Sequence, residues 1–495
     1  MRLADLVDGF DGIRLEKGGN QDIGGIAYNS QRVGPGNIFV AIEGFKTDGH
    51  LYISEALERG ATALVTGEGR EIPATPPGIG LIHAVDTRLA LALLSDRFWD
   101  HPSGKLKLVG VTGTNGKTTT TFLIEAAMNQ AGMSPGMIGT VAYRVRGREL
   151  PAGRTTPESA DLQEILATMV SEGCTAVSME VSSHAVVLHR IDACDFDVAV
   201  FTNLSQDHLD FHPTLEDYFE EKQRLFLPRS RGGLGPRAAA INIDDPYGKL
   251  LAQSSEGEIL TYGMREPADL RGEVIEMGLK RSLVQVSLSG WRQEEYTALT
   301  GAFNLYNILA ALAASILLGM DPDSSFAAIC AHPGVPGRFQ NIEEGQDFAV
   351  LVDYAHTPDS LRGVLEAARG IARKKVIVVF GCGGDRDQGK RAVMGAIASK
   401  LADLSIITSD NPRSEDPLAI IREIEEGARS TSGAAVYQVI ANRRTAIDTA
   451  IREAVSGDVV IIAGKGHEKY QILADRTIPF DDEAETRAAL RRRLA

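Results

Sequence analysis

The stretch Val111-Thr-Gly-Thr-Asn-Gly-Lys-Thr-Thr119 constrains the fold of this chain more than any other. Apolar Leu106, Leu108, Val109 and Val111 lead into it, and an apolar-periodic segment, 121–128, follows. That order predicts a buried strand, a phosphate-cradling turn and a helix N-terminus. The small residues Gly113, Thr114, Asn115 and Gly116 let backbone N–H groups approach phosphate oxygens closely. Lys117 supplies a cation to the terminal phosphates, and the hydroxyl of Thr118, followed by Thr119, can ligate Mg²⁺. The common spacing GxxxxGKS/T would need glycine at position 111, where this chain has valine. The turn is therefore read as TGTNGKTT, a tighter variant. It predicts ATP binding.

A chain of 495 residues has room for roughly three domains, each with its own core. The net charge of −15 argues against a nucleic-acid partner, because no basic stripe interrupts the acidic balance. The basic run Arg491–Arg493 reads as a solvated helix end. The cysteines Cys174, Cys194, Cys330 and Cys382 are scattered without a CxxC pair, which suggests neither a zinc site nor a disulfide framework. The N-terminal MRLADLVDGF lacks a signal-peptide pattern, and no apolar run approaches the ~20 residues needed to span a bilayer. A cytoplasmic protein without membrane insertion is expected.

The turn-rich His101-Pro-Ser-Gly104 and Ala331-His-Pro-Gly-Val-Pro-Gly337 divide the chain into expected domains 1–102, 103–333 and 334–495. In the middle part, apolar runs at 176–179, 198–201 and 238–243 alternate with helical patterns, predicting a mostly parallel sheet covered on both faces. Around 271–300 the alternation Leu283-Val-Gln-Val-Ser-Leu predicts antiparallel strands beside it. In the last part, runs at 349–352, 376–380, 404–408 and 459–463 fit a second doubly wound α/β sheet. Each run is followed by a polar turn: Asp353–His356, Gly381–Arg386, Ser409–Arg413 and Gly464–Glu468. Ligands bind at the carboxyl ends of such strands, so four polar turns on one edge predict a site.

Several residues carry candidate chemistry. Glu180 ends a strand in the same domain as the phosphate loop, where a carboxylate can hold Mg²⁺ against ATP. A glutamate there is commonly a surface residue, but Ser182, Ser183 and His184 follow it directly. His208, in Asn203-Leu-Ser-Gln-Asp-His208, is either a core or capping histidine or a ligand of a second metal. By spacing alone Lys222 reads as a solvated lysine. Asn304 and Asn307 open an Ala-rich helix and are either caps or readers of an adenine edge, with Arg338 and Asp353 reaching the nucleotide from across the second boundary. In Asp410-Asn411-Pro412-Arg413 the proline stiffens the loop and Arg413 offers a planar fork for a carboxylate. Arg386 offers a second fork and Glu468 an anion for an ammonium. These groups are either surface ion pairs or a pocket for a zwitterionic amino acid with an extra carboxylate.

Taken together, these motifs resemble the Mur ligases, ATP-dependent amide-bond-forming enzymes of peptidoglycan synthesis. The resemblance runs from Ser30 to Glu468: Gly36–Gly44, TGTNGKTT, Thr155-Thr156-Pro157, MEVSSHA, TNLSQDHLD, the Lys222 helix, FNLYN, VPGRF, DYAHTPD, GCGGDRD, DNPR and GKGHE stand in the family's order. It implies a three-domain architecture with a central phosphate-loop sheet and a C-terminal Rossmann-like domain. It also implies ATP and meso-diaminopimelate as substrates, the latter because DNPR marks the members that add it. Arg413 would bind its far carboxylate, and Arg386, Asp410, Asn411, Pro412, Gly464 and Glu468 match other amino-acid-binding positions. Ser30, Thr155, Thr156, Ser182 and Arg190 match positions that hold a UDP-N-acetylmuramoyl dipeptide. Lys222 matches a lysine carbamylated in this family (N6-carboxylysine), a reading that replaces the solvated one. The carbamate would share two Mg²⁺ ions with Thr118, Glu180 and His208. Three places depart from the family pattern: Asn29-Ser30-Gln31 for Asp-Ser-Arg, Arg154 for Asn, and Leu188 for Gln.

The implied reaction adds meso-2,6-diaminopimelate to the D-glutamate γ-carboxylate of UDP-N-acetylmuramoyl-L-alanyl-D-glutamate through an acyl phosphate, in a protein expected to act as a monomer. The alternatives are the same ligation with L-lysine, or a folylpolyglutamate synthase-like ligase.

Overall fold

A computed structural model describes residues 1–44, 47–205, 211–278, 281–431 and 436–495. Three large sheets follow one another along the chain. The first has five strands in the order Ile13–Lys17, Gly80–Ala84, Ala63–Gly67, Asn37–Val40, Gly25–Ala27, parallel except for the first. Alternate residues of its strands enter two separate cores: Ile38, Val40 and Ile82 on one face, Phe39, Ala41 and Leu81 on the other. Period-two side-chain direction makes this division, and burial of both faces requires the near-continuous apolar runs seen in the sequence.

The central sheet has eleven strands. Its parallel heart places Lys107–Thr112 between Ala176–Glu180 and Val198–Phe201, with Pro135–Ile138, Ala238–Asn242 and Glu258–Gly263 outside them. The predicted antiparallel segment forms the strands Leu270–Glu276, Ser282–Leu288 and Trp291–Thr297 at one edge. Leu108 and Phe201 face the helices Ser159–Ser171 and Leu215–Gln223, whereas Val109, Val111 and Val200 face Lys117–Gln130 and Ala302–Leu317. Val111 is thus a central strand residue with no solvent exposure, paired to Glu180 on one side and Val200 on the other. A glycine there would leave a hole in the core, so the loop begins two residues later. The helix after the loop begins at Lys117, one turn before its apolar pattern becomes visible.

The last sheet has six strands, with Ala349–Asp353, Val459–Ala463, Val376–Phe380, Leu404–Ile407 and Val436–Val439 parallel in that order. The four polar turns therefore leave the sheet along a single edge. Among the described residues no helix is long and apolar enough to cross a membrane.

Candidate active site

The phosphate loop leaves the innermost parallel strand where neighbouring strands turn in opposite directions, the switch point at which crevices open in such sheets. Two glycines are required there by space and by conformation. Gly113 has φ of 144°, and a Cβ on it would lie 1.9 Å from Thr202 Oγ1; Gly116 has φ of 86°, and its Cβ would lie 2.3 Å from Asn307 Oδ1. Thr202 Oγ1 donates to the Asn115 carbonyl at 2.6 Å, and the Asn115 amide donates to Asn203 Oδ1 at 3.0 Å. Lys117 Nζ folds back onto the carbonyls of Gly113 and Thr114 at 2.7 and 2.9 Å.

Glu180, at the end of the adjacent strand, is 1% exposed. Its Oε2 accepts from Thr118 Oγ1 at 3.0 Å and from Thr140 Oγ1 at 3.2 Å, and its Oε1 from the Thr140 amide at 2.7 Å. A buried carboxylate held by hydroxyl and amide donors, with no cation partner among the described residues, is electrostatically incomplete. Thr118 and Glu180 together make an oxygen-rich donor set of the kind that suits Mg²⁺. Among the described residues no three His, Cys, Asp or Glu side chains cluster as a metal site, and His208 lies outside the described residues.

Lys222 is not solvated. It is 1% exposed, with Nζ 3.1 Å from the Gly113 carbonyl and 4.5 Å from the centre of the Tyr218 ring. Spacing does not reveal this because the helix Leu215–Gln223 packs Tyr218 and Phe219 into the central core and brings Lys222 against the Gly113 carbonyl. Its lysine therefore faces the back of the loop rather than solvent.

These residues line a cleft of about 910 Å³ that reaches both the central and the last sheet. Asn307, Thr155, Thr156, Ser182 and Arg190 are on its wall, as are Arg338, Asp353 and Tyr354 from beyond the second boundary. Asn304 sits behind the wall, donating to the Thr300 carbonyl at 2.8 Å and accepting from Asn307 Nδ2 at 3.0 Å. Arg338 Nη2 reaches Thr118 Oγ1 at 3.4 Å, and its guanidinium lies 4.7 Å from the Tyr354 ring centre. The buried Asp353 accepts from the Phe339 amide at 2.6 Å and the Ala355 amide at 2.7 Å, yet loss of hydration still pushes its carboxyl pKa above the ordinary value. Arg190 shares the Glu158 carboxylate with Arg154 and Arg88, the last from the first sheet's domain. Ser30 lies away from this cleft, donating to Glu55 at 2.9 Å.

The acceptor turn forms a separate cluster. Gly383 and Gly384 bring their strand-end loop against the DNPR turn: a Cβ on Gly384 would lie 1.9 Å from the Pro412 carbonyl, and Arg413 Nη1 donates to the Gly384 carbonyl at 2.7 Å. Arg413 itself has φ of 52°, a left-handed conformation uncommon outside glycine. Neither Arg386 nor Arg413 is within 4.0 Å of a carboxylate among the described residues, so the surface-ion-pair reading does not describe them. Asp410 Oδ1 accepts from the Asn411 amide at 2.6 Å. Gly464, with φ of 119°, passes so close that its Cβ would lie 2.6 Å from Asp410 Oδ2.

Two cations in this cluster escaped the sequence reading. Lys465 is wholly buried and donates to Asn411 Oδ1 at 3.0 Å and Glu468 Oε2 at 2.9 Å. Arg443, also buried, pairs with Asp482 at 2.7 Å, donates to the Ala463 carbonyl at 2.9 Å and lies 3.9 Å from Asp410 Oδ2. The position of Lys465 inside GKGHE was the one signal that could have pointed to it, although the motif does not say that the lysine is buried. Nothing in the local sequence of Arg443 pointed to the turn it supports. Thr140, which orients Glu180, was likewise missed.

The layout defines the class: an α/β nucleotide enzyme whose phosphate-loop cleft is met by a second doubly wound sheet with Arg386, Arg413 and Glu468 at its strand-end turns. Residues 22–99 match the Mur ligase family catalytic domain, 111–315 the Mur ligase middle domain, and 337–466 the Mur ligase glutamate ligase domain. The chain is 45% identical over 482 residues to the UDP-N-acetylmuramoyl-L-alanyl-D-glutamate–2,6-diaminopimelate ligase of Caldanaerobacter subterraneus, covering 97% of each chain. It is 44% identical to the enzyme of that name from Geobacillus thermodenitrificans, over all of both chains. A solved structure bearing that enzyme name has a TM-score of 0.69 at 32% identity, covering 100% of this chain and 99% of the other. The MurF ligase of Thermotoga maritima, solved in complex with ADP, shares the fold at 20% identity with a TM-score of 0.62, covering 94% of this chain and 96% of the other. This chain belongs to the Mur ligase family.

Proposed function

We propose that this chain joins meso-2,6-diaminopimelate to the D-glutamate γ-carboxylate of UDP-N-acetylmuramoyl-L-alanyl-D-glutamate, with ATP as the phosphoryl donor. The observation that carries this reading is the acceptor turn. Arg386 and Arg413, free of carboxylate partners among the described residues, stand with Glu468 on one sheet edge. Two guanidiniums and one carboxylate complement an amino acid with a second carboxylate, which L-lysine lacks. The relatives' names point to the same acceptor.

In this mechanism the γ-carboxylate attacks the γ-phosphorus of ATP, an oxygen–phosphorus bond forms, and ADP leaves. The neutral amine of the acceptor then attacks the acyl carbon, phosphate departs and the amide remains. Phosphoryl transfer of this kind depends on positioning and on neutralising charge. The Gly113–Gly116 loop, whose Thr114 and Asn115 amides are tied to Asn203, borders the phosphates, and Lys117 leaves its loop carbonyls to meet the terminal ones. Arg338 lies against Thr118 from the far side, placing a second cation at the same phosphates. Asn307 and Asp353 bound the nucleotide's side of the cleft, with Asn304 holding Asn307 in place. Thr155, Thr156, Ser182 and Arg190 would hold the dipeptide end of the UDP-sugar, and Ser30 its nucleotide end. The assignment divides the work among residues 1–102, 103–333 and 334–495.

Thr118, Glu180 and a carbamylated Lys222, with His208, are the residues proposed to hold Mg²⁺, which offsets the crowded phosphate and carboxylate anions when bound. The burial of Lys222 against the loop supports that role, since a carbamate converts its cation into oxygen donors beside Gly113. A monomeric cytoplasmic enzyme fits this chemistry.

The test is phosphate release from ATP. It is expected to need both the UDP-sugar dipeptide and an amino acid, and to favour diaminopimelate over lysine. Equal rates with lysine would overturn the acceptor assignment. Oxygen label placed in the γ-carboxylate is expected to appear in the released phosphate, and its absence would rule out the acyl phosphate.

A further inference from the structure

We infer that Lys465 is a positioning residue for acceptor binding: it fixes the Glu468 carboxylate through one oxygen and leaves the other directed to the substrate ammonium. This inference rests on the proposed acceptor. The hydrogen-bond pattern is closed and one-sided. Lys465 Nζ donates to Glu468 Oε2 at 2.9 Å and to Asn411 Oδ1 at 3.0 Å, and Asn411 Nδ2 donates to the same Glu468 Oε2 at 2.8 Å. The Ile472 amide also donates to Asn411 Oδ1 at 3.0 Å. With two donors on Oδ1, the Asn411 amide has one orientation, and its Nδ2 must point at Glu468.

Glu468 Oε2 is therefore saturated from within the protein, while Oε1 takes no hydrogen bond among the described residues. The Glu468 side chain is 18% exposed and that of Lys465 is 0% exposed, so the cation is at the back and the carboxylate at the front. A carboxylate gripped by a single oxygen keeps its second oxygen's lone pairs aimed along one direction. A loose glutamate would lose that aim to rotamer freedom. The buried ammonium also needs this partner, because breaking the pair would leave a charge without compensation. The Gly464-Lys-Gly-His-Glu468 turn thus contributes a strut and a contact three residues apart.

The test compares Lys465→Met and Lys465→Gln with the wild-type enzyme in steady-state kinetics for all three substrates. Loss of a charged hydrogen bond predicts a rise in the KM for diaminopimelate of roughly tenfold to a hundredfold in the methionine variant. A smaller rise is expected for glutamine, whose amide can still donate to Glu468. The KM values for ATP and the UDP-sugar dipeptide are expected to stay within about twofold. Adding Glu468→Gln to Lys465→Met is expected to cost less than Glu468→Gln alone, because the aim is already lost. An unchanged diaminopimelate KM, or equal rises for all three substrates, would overturn the inference. Loss of the folded protein in both Lys465 variants would assign the residue to stability and overturn it as well. Failure of the wild-type enzyme to use diaminopimelate would instead overturn the acceptor reading itself.

Discussion

The phosphate loop and the acceptor turn solve the same problem, holding an anion-bearing substrate, by opposite means. The loop is one contiguous run whose geometry comes from two glycines and whose cation, Lys117, rests on its own carbonyls. The acceptor turn is assembled from three strand ends far apart in sequence, and its charges are held by buried cations behind it, Lys465 and Arg443. A site for a group common to all ATP enzymes can be carried by backbone. A site that must distinguish one amino acid from another needs side chains with a fixed aim.

The comparison can be strained from both sides. Lys117→Ala is expected to lower the turnover of phosphate release between about a hundredfold and a thousandfold, because a cation at the developing phosphoryl charge is lost. A raised ATP KM with turnover intact would make Lys117 a binding group only. Next in size are paired glycine substitutions. Gly113→Ala is expected to raise the ATP KM and Gly464→Ala the diaminopimelate KM, each at a stability cost of about 1–3 kcal/mol in urea unfolding. Crossed effects would show that the two regions are not separate. Arg413→Ala is expected to reduce the preference for diaminopimelate over lysine by roughly tenfold to a hundredfold, measured as the ratio of kcat/KM values. Unchanged discrimination would remove Arg413 from the selectivity device.

The smallest expected effect is on acid stability. His332 lies on the loop side, 6.2 Å from the Phe122 ring, and His467 on the acceptor side, 5.2 Å from Tyr354. Burial lowers both imidazoles from 6.5 to about 4. The folded state therefore binds fewer protons than the unfolded chain in that window. The stability these groups contribute is full above pH 6.5 and is lost as pH falls towards about 4. Thermal unfolding followed from pH 7 to 4 should decline less steeply in His332→Phe and His467→Phe, and a parallel decline in both variants would exclude these histidines.

Much of the fold was legible because doubly buried parallel strands read as continuous apolar runs. Val198–Phe201, Val376–Phe380 and Val459–Ala463 have the bounds that their apolar runs have. The antiparallel edge was legible at Leu283–Leu288 through period-two alternation. Lys222 was not legible from its own helix, because helical spacing reports which face is apolar and not what stands opposite a polar residue. Asn304 and Asn307 looked alike at a helix start, and only the packed structure places Asn307 on the cleft and Asn304 behind it. Arg443 gave no signal, since its partners Asp482, Ala463 and Asp410 come from three separate segments.

By itself the sequence determined the strand–loop–helix carrying Lys117, the parallel sheets and the sheet edge on which the polar turns would gather. These follow from local sterics and from periodicity, which are properties of neighbouring residues. The tertiary structure alone decided that Glu180 is a buried carboxylate without a cation among the described residues, that Lys222 backs the loop, and that Lys465 and Arg443 stand behind the acceptor turn. Electrostatic partnership depends on distance through space, and distance through space is set only when the sheets and helices have packed.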